Sequence, residues 1–443
     1  MVQAFQARCR PGVGGLSAAV RRLGTAPERR EEELPGPVRK ENPMASDTPA
    51  GKRVLISGAS VAGPALAHWL DRYGFHVTVV ERAPGLRPGG QAVDVRGTAI
   101  EAAARMGVLE ELREHATDLR GMSVLDADGN ETYSTTEATA SGGRLDRDDV
   151  EILRDDLARI LVGAGGSGVE YLFDDSIAAL DERPEEIRVR FAGGRERAFD
   201  IVVGADGVHS HTRSLVFGPE ERHLRPLAGH LGVWTAPNVL DLDRWQLAFL
   251  TGDPEAWGCL AMSVRKNAEL RVYVGLGGVD RTDRELRDPR AQKRLIAERY
   301  AQVGWEMPRL LEYMWEAPDF HFDGGAQVHL DAWSKGRVVL LGDAGYCGSP
   351  ASGQGTSMAL VGAYVLAGQL KAADGDHRAA FAAYERELRD WVTANQALAH
   401  RSAARREHGT AQEAAEAPRD ASEVLDLSDD FYAVTDGFTL RDY

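Results

Sequence analysis

Residues 53–81 read RVLISGASVAGPALAHWLDRYGFHVTVVE. The apolar run 54–56 predicts a strand that enters a turn of small residues. A helix opens at that turn, and a second apolar run, 76–80, ends on Glu81. Strand, glycine turn, helix and strand make the opening βαβ unit of a dinucleotide-binding domain. Gly58 permits the tight turn, the free N–H groups of the helix N-terminus favour a pyrophosphate, and Gly63 lets helix and strand pack closely. Glu81 lies 18 residues after Gly63, where a carboxylate can accept hydrogen bonds from a ribose diol. The pattern is GASVAG rather than GxGxxG, with Ser60 at the middle position, where its hydroxyl offers an added contact.

A literal GxGxxG occurs at Gly163, Gly165 and Gly168. It follows a helical run, DLARILV, and precedes a strand-like run, VEYLF. That order is the reverse of a dinucleotide turn, so it reads as a helix-to-strand loop.

Two further stretches end strands in glycine turns. Residues 187–213 read IRVRFAGGRERAFDIVVGADGVHSHTR. The runs 187–191 and 201–203, joined through Gly-Gly, predict a hairpin. The second run leads into Gly204, Asp206, Gly207, Ser210 and Arg213, a GADGxxSxxR pattern. Residues 336–357 read GRVVLLGDAGYCGSPASGQGTS. Here a buried strand, 338–341, ends at Gly342-Asp343, and Pro350, Gly353 and Gly355 precede a small-residue helical segment. Asp343 can accept from a sugar hydroxyl at a strand's carboxyl end, where open α/β sheets bind ligands. The helix beyond Gly355 offers free N–H groups to a polar ring edge.

The three motifs, in this order over residues 53 to about 370, resemble those of the class A flavoprotein monooxygenases, which share the para-hydroxybenzoate hydroxylase fold. The finer texture (SGASVAG, GGQAVD, GRVVLLGDAGYCGSP) is most similar to tetracycline-inactivating and antibiotic-pathway members. The resemblance implies that Gly58, Gly63 and Glu81 hold the ADP half of FAD. It implies that Asp343 binds the ribitol and pyrophosphate region, and that Pro350, Gly353, Gln354 and Gly355 line the isoalloxazine. Asp206 and Gly207 lie in a motif associated with FAD and NAD(P)H, and Arg154, in EILRDDL, matches an arginine used near the flavin. Ser60, Ala62, Arg82 and Gly342 complete the candidate cofactor-binding set. The chain departs from the family pattern at Tyr346, where histidine is frequent, and at Ser357, where asparagine is frequent; no flavin contact is expected of Ser357. Cys347 reads as a small buried thiol rather than a covalent flavin attachment point.

Composition narrows the function class. The chain has 443 residues, 52 basic against 68 acidic, for a net charge of −16. That balance argues against nucleic acid as a partner. No apolar run reaches the roughly 18 residues a membrane span needs. Three cysteines, Cys9, Cys259 and Cys347, form neither a disulfide framework nor a CxxC site. A soluble, cytoplasmic protein, monomer or homodimer, is expected. No HExxH or Cys/His spacing points to a metal, and no GxSxG elbow to a serine hydrolase. His209 and His211, at variable positions of the second motif, read as surface groups. No catalytic side chain is assigned.

The expected fold is α/β: a Rossmann-like FAD-binding domain (51–221 and 330–373), an inserted β-sheet substrate domain (222–329), and a C-terminal bridging helix with a tail (374–443). Residues 222–329 carry strand-like runs, then a charged helical stretch over 288–312. They are rich in bulky groups, Trp234, Trp245, Phe249, Trp257, Met262, Tyr273, Met314, Trp315, Phe320 and Phe322 among them, which suits a large hydrophobic substrate. Phe381, Tyr384, Leu388 and Trp391 recur at helical steps within 376–406. Beyond about 410 the chain is acidic and expected to be loosely ordered. Residues 1–27 hold Arg8, Arg10, Arg21 and Arg22 and no acid; residues 1–50 read as a disordered leader or an over-early start rather than a transit peptide.

The resemblance implies that NAD(P)H reduces FAD, that O₂ adds at the flavin C4a, and that the hydroperoxide delivers one oxygen atom to an electron-rich aromatic or polyketide-like small molecule. Hydroxylation is the first expectation, with Baeyer–Villiger insertion and epoxidation open. A flavin reductase or dehydrogenase, and a non-catalytic binding protein, are the alternatives. A flavin halogenase would carry WxWxIP, which is absent.

Overall fold

Every residue of the run Val54, Leu55 and Ile56 is fully buried, because both faces of the sheet they enter are covered. The computed structural model describes residues 51–280, 284–408 and 428–443; the expectations for residues 1–50 and for the tail between 409 and 427 fall outside these. The strand Arg53–Ser57 pairs in parallel with His76–Glu81 on one side and Ile201–Gly204 on the other. The sheet has six strands in the order Ser334–Lys335, Val338–Leu340, Ile201–Gly204, Arg53–Ser57, His76–Glu81 and Glu170–Phe173. All its pairings are parallel except that of the edge strand Ser334–Lys335. Alternation sorts the side chains. Val54, Ile56 and Val203 pack against the helices Ala62–Arg72 and Gly355–Ala372, whereas Leu55, Val202 and Val338 pack against a three-stranded meander.

That meander corrects one expectation. Ile187–Phe191 pairs with Glu196–Phe199, not with the run at 201–204. Asp200 is the pivot: its N–H donates to the Arg53 carbonyl at 2.9 Å and its Oδ2 accepts from the Arg53 N–H at 2.7 Å. The chain is thereby passed into the central sheet. The polar outward residues of Glu196–Phe199 disguise it as a loop.

A second sheet has seven strands, in the order His321–Val328, Leu224–Pro237, Glu269–Leu276, Ala256–Val264, Gln246–Leu250, Met122–Leu125 and Glu131–Thr135. It therefore draws two strands from 122–135 as well as those from 224–328. One face, with Trp234, Leu270, Val272 and Val274, packs on the helices Pro289–Arg299 and Met307–Glu316. The stretch expected as one helix is two, parted where Trp305 takes φ +55 after Gly304. The other face, with Val233, Met262 and Tyr273, meets Leu119 and Leu153 of the first layer. Trp315, offered as a core or pocket residue, is instead 46% exposed.

The helix His377–His408 lies across both layers. Gln396 Nε2 donates to the carbonyls of Val328 and Cys347, and Arg389 to that of Leu330. The expectation of a loose tail is overturned for 428–443. Ser428 caps the helix Asp429–Thr435, Phe431, Tyr432 and Leu440 are buried, and Trp391 donates to the Val434 carbonyl. Apolar residues spaced among acids buried this segment, and net composition hid them. No helix among the described residues is long and apolar enough to cross a membrane.

Candidate cofactor site

The three glycine turns lie at the carboxyl ends of three adjacent parallel strands, Val338–Leu340, Ile201–Gly204 and Arg53–Ser57, with Glu81 ending the next strand. Gly58 has φ +110, and a Cβ there would sit 2.4 Å from the Ala205 carbonyl oxygen. A Cβ on Gly63 would sit 1.9 Å from the Gly58 oxygen. Backbone thus packs on backbone, and the helix Ala62–Arg72 starts directly over the strand end. No side chain caps that helix N-terminus, nor that of Gly355–Ala372. Ala62 touches the Gly342 turn, where an added Cβ would lie 3.1 Å from the Ala62 Cβ, and Asp343 Oδ1 lies 3.7 Å from the place of a Gly355 Cβ. Two uncapped helix ends with their partial positive charge therefore lie near the Gly342 turn, an arrangement that suits a dinucleotide phosphate and a polar ring edge.

Glu81 accepts from the Ala59 and Ala83 N–H groups at 3.0 Å each. These bonds aim the carboxylate and leave lone pairs for a diol. Arg82 beside it is exposed. Arg154 opens the helix Arg154–Gly163 and donates to the carbonyls of Arg87 and Gly89 and, at 3.3 Å, to Ser60 Oγ. Ala59, Ser60, Glu81, Leu86 and Arg154 line one narrow cleft. Burial, with the Arg87 charge adding, lowers the Arg154 pKa, so an anion in that cleft would relieve an under-solvated cation.

Asp206 is turned inward. Its Oδ1 accepts from Ser210 Oγ, and its Oδ2 accepts from Thr212 N, Thr212 Oγ1 and Ser57 Oγ. Its carboxylate holds the second motif together, and the αL turn falls on Gly207, at φ +83. Arg213, fully buried, reaches from this motif to the third: it donates to the Ala344 carbonyl at 3.0 Å and the Val208 carbonyl at 2.7 Å, and pairs with Glu220. Arg213→Ala removes this bolt and leaves the Ala344 and Val208 carbonyls without their donor. Urea unfolding is expected to show a loss of about 2–4 kcal/mol.

In the third motif, Gly353 takes φ +62 just after Pro350 opens a short 3₁₀ turn. Asp343 has a raised pKa, chiefly from burial, with the Cys347 thiol as its one opposing hydrogen bond. Gln354 is fully buried, yet neither its amide nitrogen nor its amide oxygen has a partner among the described residues. Such a group costs about 1–3 kcal/mol unless something satisfies it. A flavin, with donors and acceptors alternating along its ring edge, fits this carboxamide, the uncapped helix end and the desolvated Asp343. Cys347 is buried and its thiol pushed well up, chiefly by desolvation, which keeps it un-ionised. Tyr346 packs on Trp333 and bonds Tyr384 Oη, and Ser357 Oγ accepts from the Arg96 N–H.

His209 is exposed, as expected, but it is not idle. It bridges Glu220 and Asp323 at 3.0 and 3.4 Å, and chiefly the Asp323 bond pushes its pKa up to about 9. The folded state holds this proton more tightly than the unfolded chain. The stabilisation is thus complete below the unfolded value of about 6.5 and fades as pH rises through about 9. Wild type is expected to lose stability across that window relative to His209→Ala in pH-dependent thermal melts. Equal slopes would discard the bridge.

Sequence reading missed the buried polar layer formed by Asp94, Arg96 and Glu151. Its signal was present as two charges alternating with Val93 and Val95 in a strand.

Against known proteins, the FAD binding domain family model matches residues 52–398. An uncharacterized protein of Mycobacterium tuberculosis, Rv1260, is 51% identical over 351 residues, covering 78% of this chain and 92% of its own length. A flavin-dependent monooxygenase of Legionella longbeachae is 37% identical over 344 residues, 78% of this chain and 87% of its own. The crystal structure of the tetracycline destructase Tet(55) superposes with a TM-score of 0.77 at 35% identity, covering 89% of this chain and all of that one.

Proposed function

The chain belongs to the class A flavoprotein monooxygenase family, and from that premise we propose that it uses FAD, NAD(P)H and O₂ to hydroxylate a polycyclic enol or phenol. Membership makes it an FAD-binding oxidoreductase. The observation that carries the reading is the convergence of the three motif turns on adjacent strand ends, with Asp343 against Gly355 and the unpartnered carboxamide of Gln354 one residue before it.

Bound FAD supplies the electron transfer and oxygen activation that side chains lack. The chain's part is to bind, orient and exclude water. In this reading Gly58, Ser60, Ala62 and Gly63 cradle the pyrophosphate, Glu81 takes the ribose, and Arg82 and Arg154 flank the phosphates. Gly342 and Asp343 take the ribityl chain, and Pro350, Gly353, Gln354 and Gly355 meet the ring. Asp206 and Gly207 act by holding their turn in place. The bulky apolar content of residues 222–329 suits a large hydrophobic substrate. Likeness to a tetracycline destructase supports the polycyclic enol class. NAD(P)H needs no second nucleotide fold if it binds only transiently. A cytoplasmic monomer or homodimer belongs to the same reading.

The test is an absorption spectrum of purified protein, before and after NADPH in air, with a panel of enols and phenols that includes tetracycline. Flavin bands that bleach and recover, and product gaining one oxygen atom from ¹⁸O₂, are the expected result. NADPH oxidation without incorporation for any panel member would make the protein a reductase. A colourless protein that FAD cannot reconstitute would end the proposal.

A further inference from the structure

The strand Ala92–Val95 pairs antiparallel with Val150–Leu153, and Asp94 stands directly opposite Glu151. Directly opposed side chains share one face of a sheet, and like charges there repel. The other face, Val93, Val95, Val150 and Ile152, belongs to the core under the first sheet. The carboxylates face the seven-stranded sheet instead, where Tyr273 Oη accepts from the Ala92 N–H at 2.7 Å. A stability design would not oppose two buried acids in this way without two cations.

One cation is present within the pair. Arg96, 4% exposed, bonds Asp94 at 2.8 Å and the Ser141 carbonyl at 3.1 Å. Glu151 Oε2 accepts from Thr117 Oγ1 at 2.6 Å. Three buried polar atoms then remain without a partner: Asp94 Oδ1, Glu151 Oε1 and Arg96 Nε. Arg96 ties the cluster to the ring loop. Its Nη1 lies 3.8 Å from the place of a Gly353 Cβ, and its N–H donates to Ser357 at 3.0 Å. Orphaned atoms of both signs, between the Gly353 loop and the seven-stranded sheet, are the mark of a layer completed by something polar.

We propose that Asp94 and Glu151 together hold at most one proton, and that the ionised Glu151 takes it from an acidic hydroxyl of the substrate and later returns it. This rests on the hydroxylase reading above. The proton on the enol or phenol oxygen passes to Glu151, and the O–H bonding pair stays on the substrate as an enolate. That anion is the electron-rich form an electrophilic oxygen attacks. Glu151 then gives the proton to the oxygen atom that leaves as water, and returns to a carboxylate. O₂ and NAD(P)H supply the oxidant and the electrons. Desolvation first, then the Asp94 charge, push Glu151 up to about 7, against the pull of Ser141, Thr117 and Arg96. Asp94 is raised by burial too, with Asp149 adding and Arg96 opposing. Tyr273, whose own pKa is raised mainly by burial, faces both acids from the sheet. A group poised near neutrality can both take and return a proton.

Infrared spectra of the FAD-loaded protein across pH test the shared proton without any substrate. A carboxylic-acid carbonyl band should vanish with a midpoint of about pH 7. It should be missing from Glu151→Gln, and it should titrate lower in Asp94→Asn, where the like charge is gone. If Glu151→Gln fails to fold, Thr117→Val carries the test: loss of the hydroxyl that binds the ionised form moves the midpoint up. A wild-type protein with no such band, or a band unmoved by all three substitutions, overturns the proposal. With a panel substrate, Glu151→Gln should lower turnover about 100-fold and leave flavin reduction by NADPH unchanged. Turnover at the wild-type rate would discard the exchange while the hydroxylase reading stands. No oxygen incorporation by wild type across the panel would sink that reading, and the exchange with it, whatever the band does.

Discussion

Gly63→Ala yields a protein that no longer retains FAD and is less stable than wild type by about 1–3 kcal/mol. Two effects oppose each other at this position. Alanine is a better helix residue than glycine by about 1 kcal/mol, and residue 63 lies in the first turn of Ala62–Arg72. Against that, the new methyl would sit 1.9 Å from the Gly58 carbonyl oxygen, where an ordinary C···O contact is about 3.3 Å or more. The obstacle is backbone, which cannot rotate aside. The helix must therefore lift off the strand end, and the turn proposed to cradle the pyrophosphate opens. Gly163→Ala is the matched control, because nothing lies within 4 Å of a Cβ there. It is expected to keep FAD and to be neutral or slightly stabilised. The literal GxGxxG would thereby be silent while the imperfect one is essential. Flavin absorbance per protein and chemical unfolding of both variants check this. Full FAD retention by Gly63→Ala would remove the βαβ turn from the cofactor site.

Asp343→Ala should weaken FAD binding about 10- to 100-fold, the loss of one or two charge-assisted hydrogen bonds. The apoprotein should unfold at the same urea concentration or a higher one. The reasoning is electrostatic. Asp343 is desolvated and its pKa is raised, so the carboxylate burdens the ligand-free fold, and in the proposed site a ligand hydroxyl would supply its partner. Asp206→Ala should behave in the opposite way. Its carboxylate accepts from Ser210, Thr212 and Ser57, and truncation should cost about 2–4 kcal/mol of stability, with FAD affinity changing only as the turn loosens. Titrating FAD into both apoproteins, alongside urea melts, separates the two acids. Equal behaviour would mean that one of them is misassigned.

Several features could be settled by the sequence by itself. Apolar runs ending in glycine turns, and a carboxylate after the second run, are local patterns. Gly58, Gly63, Gly342 and Glu81 could be read from them because a turn's geometry is dictated by the residues within it. The order of elements likewise rejected the turn at Gly163, which links the helix Arg154–Gly163 to the strand Glu170–Phe173. What tertiary structure alone decided is pairing. Periodicity tells which face of a strand is apolar but not which strand lies beside it, so Ile187–Phe191 pairs with Glu196–Phe199 rather than with the apolar run at 201–204, which Asp200 hands over to Arg53 and the central sheet. A polar side chain carries no local sign of whether it meets ligand or protein. Asp206 and Asp343 follow similar strand-end glycines, yet one is consumed by Ser210 and Thr212 and the other is desolvated with little to offset it. Arg213 reaches Ala344 across 131 positions, and Asp94 finds Glu151 only by register. Contacts of that kind are fixed by how the layers close, because a buried charge takes whatever partner the packed fold brings to it.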